Sequence, residues 1–183
     1  ETVASKKNRI EIVFAGTLYD GGKAPLIEFI KSLNKNLIHN NFLPVHLTII
    51  GNWDRNIINS LKQITTCTYL GVIEASEVQR VIKCSDFTCS YVSPRLNYAI
   101  NTKILESASH KIPIILLSDK GVVSEFISRN NIGIHIDVEN IKSDGVLRWI
   151  NGNVKVGPWA DLMEHDINYI MRNKVLKVID SLL

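Results

Sequence analysis

Six short apolar segments, separated by helical or polar segments, constrain the fold of this chain more than any other feature. Ile10–Ala15 is almost continuously apolar, and Val45–Ile50 and Ile112–Leu117 repeat that pattern. Apolar runs of this length are typical of strands that are buried on both faces of a parallel sheet. Three weaker segments complete the series, namely Thr66–Leu70, Phe87–Tyr91 and Ile132–Ile136.

Helical patterns lie between these predicted strands. Apolar residues recur at helical spacing after Pro25 and after Asp54, and Ser76 with Gln79 has the spacing of a capping box at a helix start. Strands that alternate with helices, joined by right-handed crossovers, build a parallel sheet with helices on both faces. The predicted fold is therefore α/β, a Rossmann-like, doubly wound parallel sheet of about six strands.

The chain is expected to form one domain. Its 183 residues are enough for one well-buried core and few for two. Residues 1–8 are polar and are interpreted as a linker or an artificial chain boundary. Residues 9–183 are then a single Rossmann-like domain that includes an amphipathic helix over 158–183.

Composition excludes several classes of function. The net charge is only +3 and the basic residues are scattered, so nucleic acid is not an expected partner. The three cysteines lack CxxC spacing and the histidines lack metal-ligand spacing, so neither a disulfide framework nor a metal site is expected. No apolar run approaches the roughly 18 residues of a membrane span, and no signal peptide is recognisable, so a cytoplasmic location is expected.

The stretch from Tyr91 to Leu117 carries the clearest chemical signal. It consists of a polar loop, a short helix with Lys103 and Glu106, and a buried strand. A helix N-terminus and a lysine can bind phosphate, whereas a carboxylate can accept hydrogen bonds from ribose hydroxyls. A nucleoside diphosphate is therefore the expected ligand, although Glu106 could instead interact with the helix dipole or a neighbouring lysine.

Five segments, taken in order over about residues 9–136, resemble the C-terminal lobe of a GT-B glycosyltransferase, and family 4 retaining enzymes are the most similar. The segments are IVFAGTL (12–18), LTIIGN (47–52), TYLGVIEASEV (68–78), CSDFTCSYVSP (84–94) and NTKILESASHKIPII (101–115). The resemblance implies a lobe that binds a UDP- or GDP-sugar as substrate, without a cofactor or a required metal.

The resemblance also implies partners that this chain does not contain. An N-terminal GT-B lobe would bring a glycan or lipid-linked acceptor, and catalysis would take place in the cleft between the two lobes. Surface polysaccharide synthesis is the implied process. The implied location is cytoplasmic, or peripheral at the inner face of the cell membrane through the full-length protein.

The resemblance assigns roles to individual residues. Glu106 would hold the ribose diol and Lys103 would meet the diphosphate, and these two are the predicted catalytic residues. The predicted donor-binding residues are those of the loop after the first strand, the turn that meets the base, and the start of the central helix: Gly16, Thr17, Lys23, Gly71, Val72, Ile73, Asn101 and Thr102.

Two departures from the family pattern leave other functions open. Tyr98 stands where many members carry a second glutamate, and Thr17 stands where an arginine is frequent, with Lys23 as an offset counterpart of the usual loop lysine. An epimerase-type GT-B lobe, another small Rossmann enzyme, or a non-catalytic interaction module are the alternatives. A dehydrogenase is disfavoured because GTLYDGG lacks the GxGxxG spacing.

Overall fold

The computed structural model describes residues 9–19, 21–96 and 100–152, over which strands and helices alternate. The strands are β1 (Glu11–Ala15), β2 (His46–Ile50), β3 (Thr66–Gly71), β4 (Phe87–Tyr91), β5 (Ile114–Ser118) and β6 (Gly133–Asp137). The helices are α1 (Lys23–His39), α2 (Arg55–Lys62), α3 (Ala75–Lys83), α4 (Thr102–Ser109), α5 (Val122–Asn130) and α6 (Asp144–Ile150). A short 3-10 turn covers Pro94–Leu96.

The strands form one parallel sheet in the order β3-β2-β1-β4-β5-β6. The chain winds outward from β1 to β3, crosses back to β4 beside β1, and then winds outward in the other direction. Doubly wound sheets of this order bind ligands where the winding reverses, outside the carboxyl ends of the strands. The predicted fold is confirmed, and its reversal point lies between β1 and β4.

The strands separate at this reversal point. The ladder between β1 and β4 ends at the pair Val13 and Thr88, whereas β1 stays paired with β2 as far as Ala15 and Ile50. On the other side, β4 stays paired with β5 through Tyr91. The carboxyl ends of β1 and β4 are therefore no longer paired with each other, at the point where sheets of this order carry their ligand crevice.

Helices cover both faces of the sheet. Leu26, Phe29 and Ile30 of α1 share the largest apolar cluster with α2 and α6 on one face. Helices α4 and α5 pack around Ile104 and Ile127 on the other face, where α3 covers the β1–β2 region. Burial of these side chains supplies the main driving force for the fold.

Three predicted element starts are wrong by two residues, for local reasons. Helix α1 begins at Lys23 rather than at Pro25, which lies within the first turn, where a missing N–H costs little. Helix α3 begins at Ala75 after an extended Glu74, so Ser76 is already helical and cannot cap. Strand β5 begins at Ile114 because the N–H of Ile112 donates to the Ser107 carbonyl and closes the end of α4.

The helix predicted over 158–183 lies outside the described residues. Within the part of the chain that the structure does describe, no helix is both long and apolar enough to cross a membrane.

Candidate functional site

Three adjacent strands end in glycines that carry left-handed backbone angles. Gly16, Gly51 and Gly71 follow or end β1, β2 and β3, with φ angles of +129°, +124° and +68°. The N–H of Gly16 donates to the Ile50 carbonyl at 2.9 Å, and that of Gly51 donates to the Gly71 carbonyl at 2.7 Å. These bonds extend the sheet by one residue and turn the three chains at one level of the carboxyl edge.

The turn after β2 is packed directly against the turn after β1. A Cβ atom on Gly51 would lie 2.6 Å from the Gly16 carbonyl oxygen, so only glycine fits there. Trp53 donates from Nε1 to that same oxygen at 2.6 Å and places its ring edge-on to Phe14, with centroids 4.8 Å apart. Trp53 is 6% exposed, and its contact with Gly16 was not anticipated from the sequence.

The glycine pair before α1 allows Tyr91 to pack beneath the loop. A Cβ on Gly22 would lie 2.6 Å from Cδ1 of Tyr91 and 2.7 Å from Cδ1 of Leu18, and one on Gly21 would lie 3.1 Å from the Tyr91 hydroxyl. In a sequence, a pair of glycines in a loop indicates only a flexible turn. Their second role is to let the loop descend onto the end of β4.

Tyr91 brings a buried phenol to the reversal point. Burial raises the pKa of Tyr91 above its ordinary value, and the nearby negative charge of Asp119 raises it further. The phenol therefore stays protonated at neutral pH and can donate a hydrogen bond. The sequence marked Tyr91 only as the end of a strand, because nothing local distinguishes a tyrosine beneath a loop from one in the core.

Helix α1 begins without a side-chain cap. Its N-cap is Gly22, and the first residue, Lys23, is exposed. The first N–H groups of a helix need partners from outside it and favour negative charge. The loop after β1 therefore leads into a helix terminus that suits an anion.

Helix α4 begins at the same edge of the sheet, after β4. Asn101 caps it by accepting a hydrogen bond from the Ile104 N–H at 3.0 Å, and Asn101 and Thr102 are exposed. One turn on, the Lys103 ammonium lies 2.9 Å from the Glu106 carboxylate. Their side chains are 44% and 22% exposed, so the carboxylate is the more enclosed group of the pair.

The sequence left open that Glu106 interacts with a neighbouring lysine, and the structure shows that pairing. Whether a ligand can displace Lys103 depends on the energy of the pair. Exposed pairs at this helical spacing contribute only about 0.2–0.5 kcal/mol. Hydrogen bonds to charged groups contribute about 1.5–3 kcal/mol. A ligand that offers ribose hydroxyls to Glu106 and phosphate oxygens to Lys103 can therefore replace the ion pair.

The turn after β3 presents an apolar edge. Val72 is 80% exposed, which is the highest value among the exposed large apolar side chains of the described residues. Ile73 instead packs against the cluster beneath α3. The contact of this turn with a base, which the family resemblance implies, stays a prediction.

Lys23 is placed differently from the other candidates. It lies at the start of a shallow, mainly apolar groove of about 580 Å³ along α1, which is lined by Gly21, Lys23, Ala24, Ile27, Glu28 and Lys31. No ion pair within the described residues joins Lys23 to Glu106. The predicted contact of Lys23 with phosphate stays a prediction. Tyr98, the other departure from the family pattern, lies outside the described residues.

The remaining predicted residues share one edge. The loops that follow β1, β3 and β4 carry Gly16 and Thr17, the turn at Gly71, and the start of α4, and in a parallel sheet these loops all emerge at the carboxyl edge. Within the described residues, no group of three or more His, Cys, Asp or Glu side chains could hold a metal ion.

Comparisons of sequence find no relative. No protein-family model matches this chain, and no curated protein matches it significantly. The similarity lies in the fold.

Solved glycosyltransferases share that fold. WaaG, a glycosyltransferase of lipopolysaccharide biosynthesis, superposes with a TM-score of 0.64 at 16% identity over 95% of this chain and 48% of its own. Anabaena HepE, crystallised with UDP and glucose, superposes with a TM-score of 0.61 at 12% identity over 96% of this chain and 49% of its own. This chain has the fold of half a glycosyltransferase. A Staphylococcus aureus TarM variant, crystallised with UDP, gives 0.59 at 14% identity over 94% and 34%.

The chain thus spans about half the length of the first structures that it matches. This is the fold that the GT-B resemblance implied.

Proposed function

We propose that this chain is the donor-binding lobe of a glycosyltransferase, which binds a UDP- or GDP-sugar so that its sugar can pass to a glycan or lipid-linked acceptor. The observation that carries the proposal is the crevice between the ends of β1 and β4. The Gly16–Thr17 turn borders it on one side and the start of α4, with Lys103 and Glu106, follows β4 on the other.

The diphosphate binds between the loop after β1 and the start of α4. Backbone N–H groups near Thr17 and at Asn101 and Thr102, together with the Lys103 ammonium, stabilise its negative charge. Charge on the diphosphate increases as the bond to the sugar breaks. Donors that are already oriented therefore stabilise the transition state more than the ground state.

The nucleoside binds between α4 and the turn after β3. Glu106 accepts hydrogen bonds from the two ribose hydroxyls, and the base lies against Gly71, Val72 and Ile73. In this arrangement Glu106 positions the donor and does no acid–base chemistry.

The broader reaction extends the same proposal. A second lobe supplies the acceptor and completes the active site, so the isolated chain binds donor but transfers no sugar. The transfer needs no metal and proceeds with retention, as in family 4 enzymes, in the synthesis of surface polysaccharide at the cytoplasmic face of the membrane. The fold shared with WaaG and HepE supports the lobe assignment, at identities of 16% and 12%.

Isothermal titration of the chain with UDP and GDP tests the proposal. We expect one of the two to bind with a micromolar to millimolar dissociation constant, unchanged by EDTA. Absence of binding by both nucleotides at millimolar concentration would reject the donor site. A mixture with the missing lobe would then show whether sugar is transferred or a nucleotide sugar is isomerised.

A non-catalytic interaction module is the second candidate, and the Lys103–Glu106 ion pair is the observation that favours it, since each group already has a partner. That function predicts no nucleotide binding by the chain. It also predicts that the Glu106→Gln variant behaves like wild type in every binding assay.

A further inference from the structure

The carbonyl of Gly16 is held from the side of β2 by two contacts. The Trp53 indole donates to it at 2.6 Å, and the backbone of Gly51 lies so close that a Cβ there would be 2.6 Å from the oxygen. The N–H of Gly16 also faces β2, because it donates to the Ile50 carbonyl. The peptide that links Gly16 to Thr17 is therefore oriented by β2 and by Trp53, which follows the turn at the end of β2.

Planarity transmits this orientation to Thr17. Among the described residues no peptide bond is cis, and in a trans peptide the N–H points opposite to the carbonyl. The Thr17 N–H must then point away from β2. Since β1 lies between β2 and β4, that direction is toward the crevice where β1 and β4 have separated.

The Thr17 N–H is available at this position. Thr17 is exposed, and its N–H makes no backbone hydrogen bond within the described residues. By contrast, the neighbouring Gly16 N–H is used by β2. Thr17 thus offers a backbone donor directly after the end of β1.

We propose that Trp53 is a positioning residue, whose bond to the Gly16 carbonyl presents the Thr17 N–H to the diphosphate of a bound nucleotide. The inference rests on the proposed donor site and adds a residue to it. Trp53 itself does not touch the nucleotide. It acts through one peptide plane, so its removal affects the phosphate and leaves contacts to the nucleoside intact.

The shape of Trp53 separates this role from simple packing. Its ring packs edge-on to Phe14, which a phenylalanine can largely reproduce, whereas the N–H donor has no counterpart in phenylalanine. Trp53→Phe therefore removes the bond and keeps most of the apolar contact. Trp149→Phe is the matched control, because Trp149 is a partly buried tryptophan of α6 at the edge of the core.

The experiment compares UDP with uridine. The ¹⁵N-labelled chain and both variants are titrated with each compound, and dissociation constants are taken from NMR shifts. We expect Trp53→Phe to raise the dissociation constant of UDP about tenfold, which is the effect of one lost hydrogen bond to a charged group. The dissociation constant of uridine should change less than about twofold. Trp149→Phe should change neither, and the Thr17 amide should shift with UDP but not with uridine.

Three outcomes would overturn the inference. If Trp53→Phe binds UDP as tightly as wild type does, with an unchanged ratio of the UDP and uridine dissociation constants, the role of Trp53 is rejected and the donor site is not. If that variant does not fold, a wild-type Thr17 amide that does not shift with saturating UDP would reject the same role. Failure of the wild type to bind either UDP or GDP would instead reject the donor site, and the inference with it.

Discussion

The Lys103 ammonium and the Glu106 carboxylate lie 2.9 Å apart on one turn of α4, at the edge where the sheet reverses its winding. The same distance is expected for two functions of this pair. The first is a surface ion pair that only stabilises the helix, and the second is a site whose two groups bind a ligand. The weak energy of an exposed pair makes the second function possible, and binding measurements separate the two.

Glu106→Gln should weaken UDP binding by about 1.5–3 kcal/mol, roughly 10- to 150-fold, because the neutral amide loses charge-assisted hydrogen bonds to the ribose diol. Stability should change by no more than about 0.5 kcal/mol. Glu77→Gln is the matched control, because Glu77 pairs with Arg80 at the same helical spacing in α3. Titration calorimetry with UDP measures the difference. Equal losses in the two variants would contradict the ribose contact.

Gly22→Ala should destabilise the chain by about 1–3 kcal/mol, because the new Cβ would overlap Tyr91 and Leu18. Gly22 has a φ of −77°, so the cost is steric and not conformational. Chemical denaturation measures it, and UDP affinity should fall because the loop is displaced.

Gly71→Ala provides the control for Gly22. Its Cβ would meet nothing within 4 Å, but its φ of +68° is unfavourable for alanine by roughly 1–2 kcal/mol. In a Tyr91→Ala background, the cost of Gly22→Ala should shrink and that of Gly71→Ala should not. An unchanged cost for Gly22→Ala would show that the ring of Tyr91 is not the obstacle.

Alkylation should distinguish the three cysteines in the folded chain. Cys84 is exposed, Cys67 is half-buried and Cys89 is buried. Burial raises the pKa of Cys67, although the charge of Lys62 partly offsets this, and only thiolates react readily. Mass spectrometry after iodoacetamide should show Cys84 modified first, Cys67 later and Cys89 only after unfolding. Early modification of Cys89 would contradict its place in the core.

Stability should fall as the pH rises above about 9. Burial raises the pKa of the Cys89 thiol above its ordinary value of 9.0, so the folded chain keeps a proton that the unfolded chain releases. The unfolded state then binds fewer protons, and the free energy of unfolding falls by at most about 1.4 kcal/mol per pH unit for this group. Cys67 and Tyr91 shift in the same direction.

Denaturant titrations at pH 8, 9 and 10 measure this slope. Cys89→Ala should make the slope shallower, whatever its effect on stability at pH 8. Cys84→Ala should leave the slope as in wild type. A slope that is equal in all three proteins would mean that other groups cause the loss.

Much of the fold could be predicted from the sequence because it depends on local pattern. The continuous apolar run before Gly16 marks a strand that is buried on both faces, and Asn131 ends α5 in the left-handed conformation that its side chain tolerates. Errors occurred at the starts of elements, where the same local pattern fits more than one position. Ser76 has the spacing of a cap, but α3 begins two residues too early for its hydroxyl to act.

The candidate site divides in the same way. The helical spacing of Lys103 and Glu106 and the glycine after β1 can be read along the chain, because each depends on neighbours a few residues away. The contact of Trp53 with Gly16 and the packing of Tyr91 beneath Gly22 join residues that are distant in sequence. They follow from the strand order, which places β2 and β4 on opposite sides of β1, and only the tertiary structure decides what those neighbours touch.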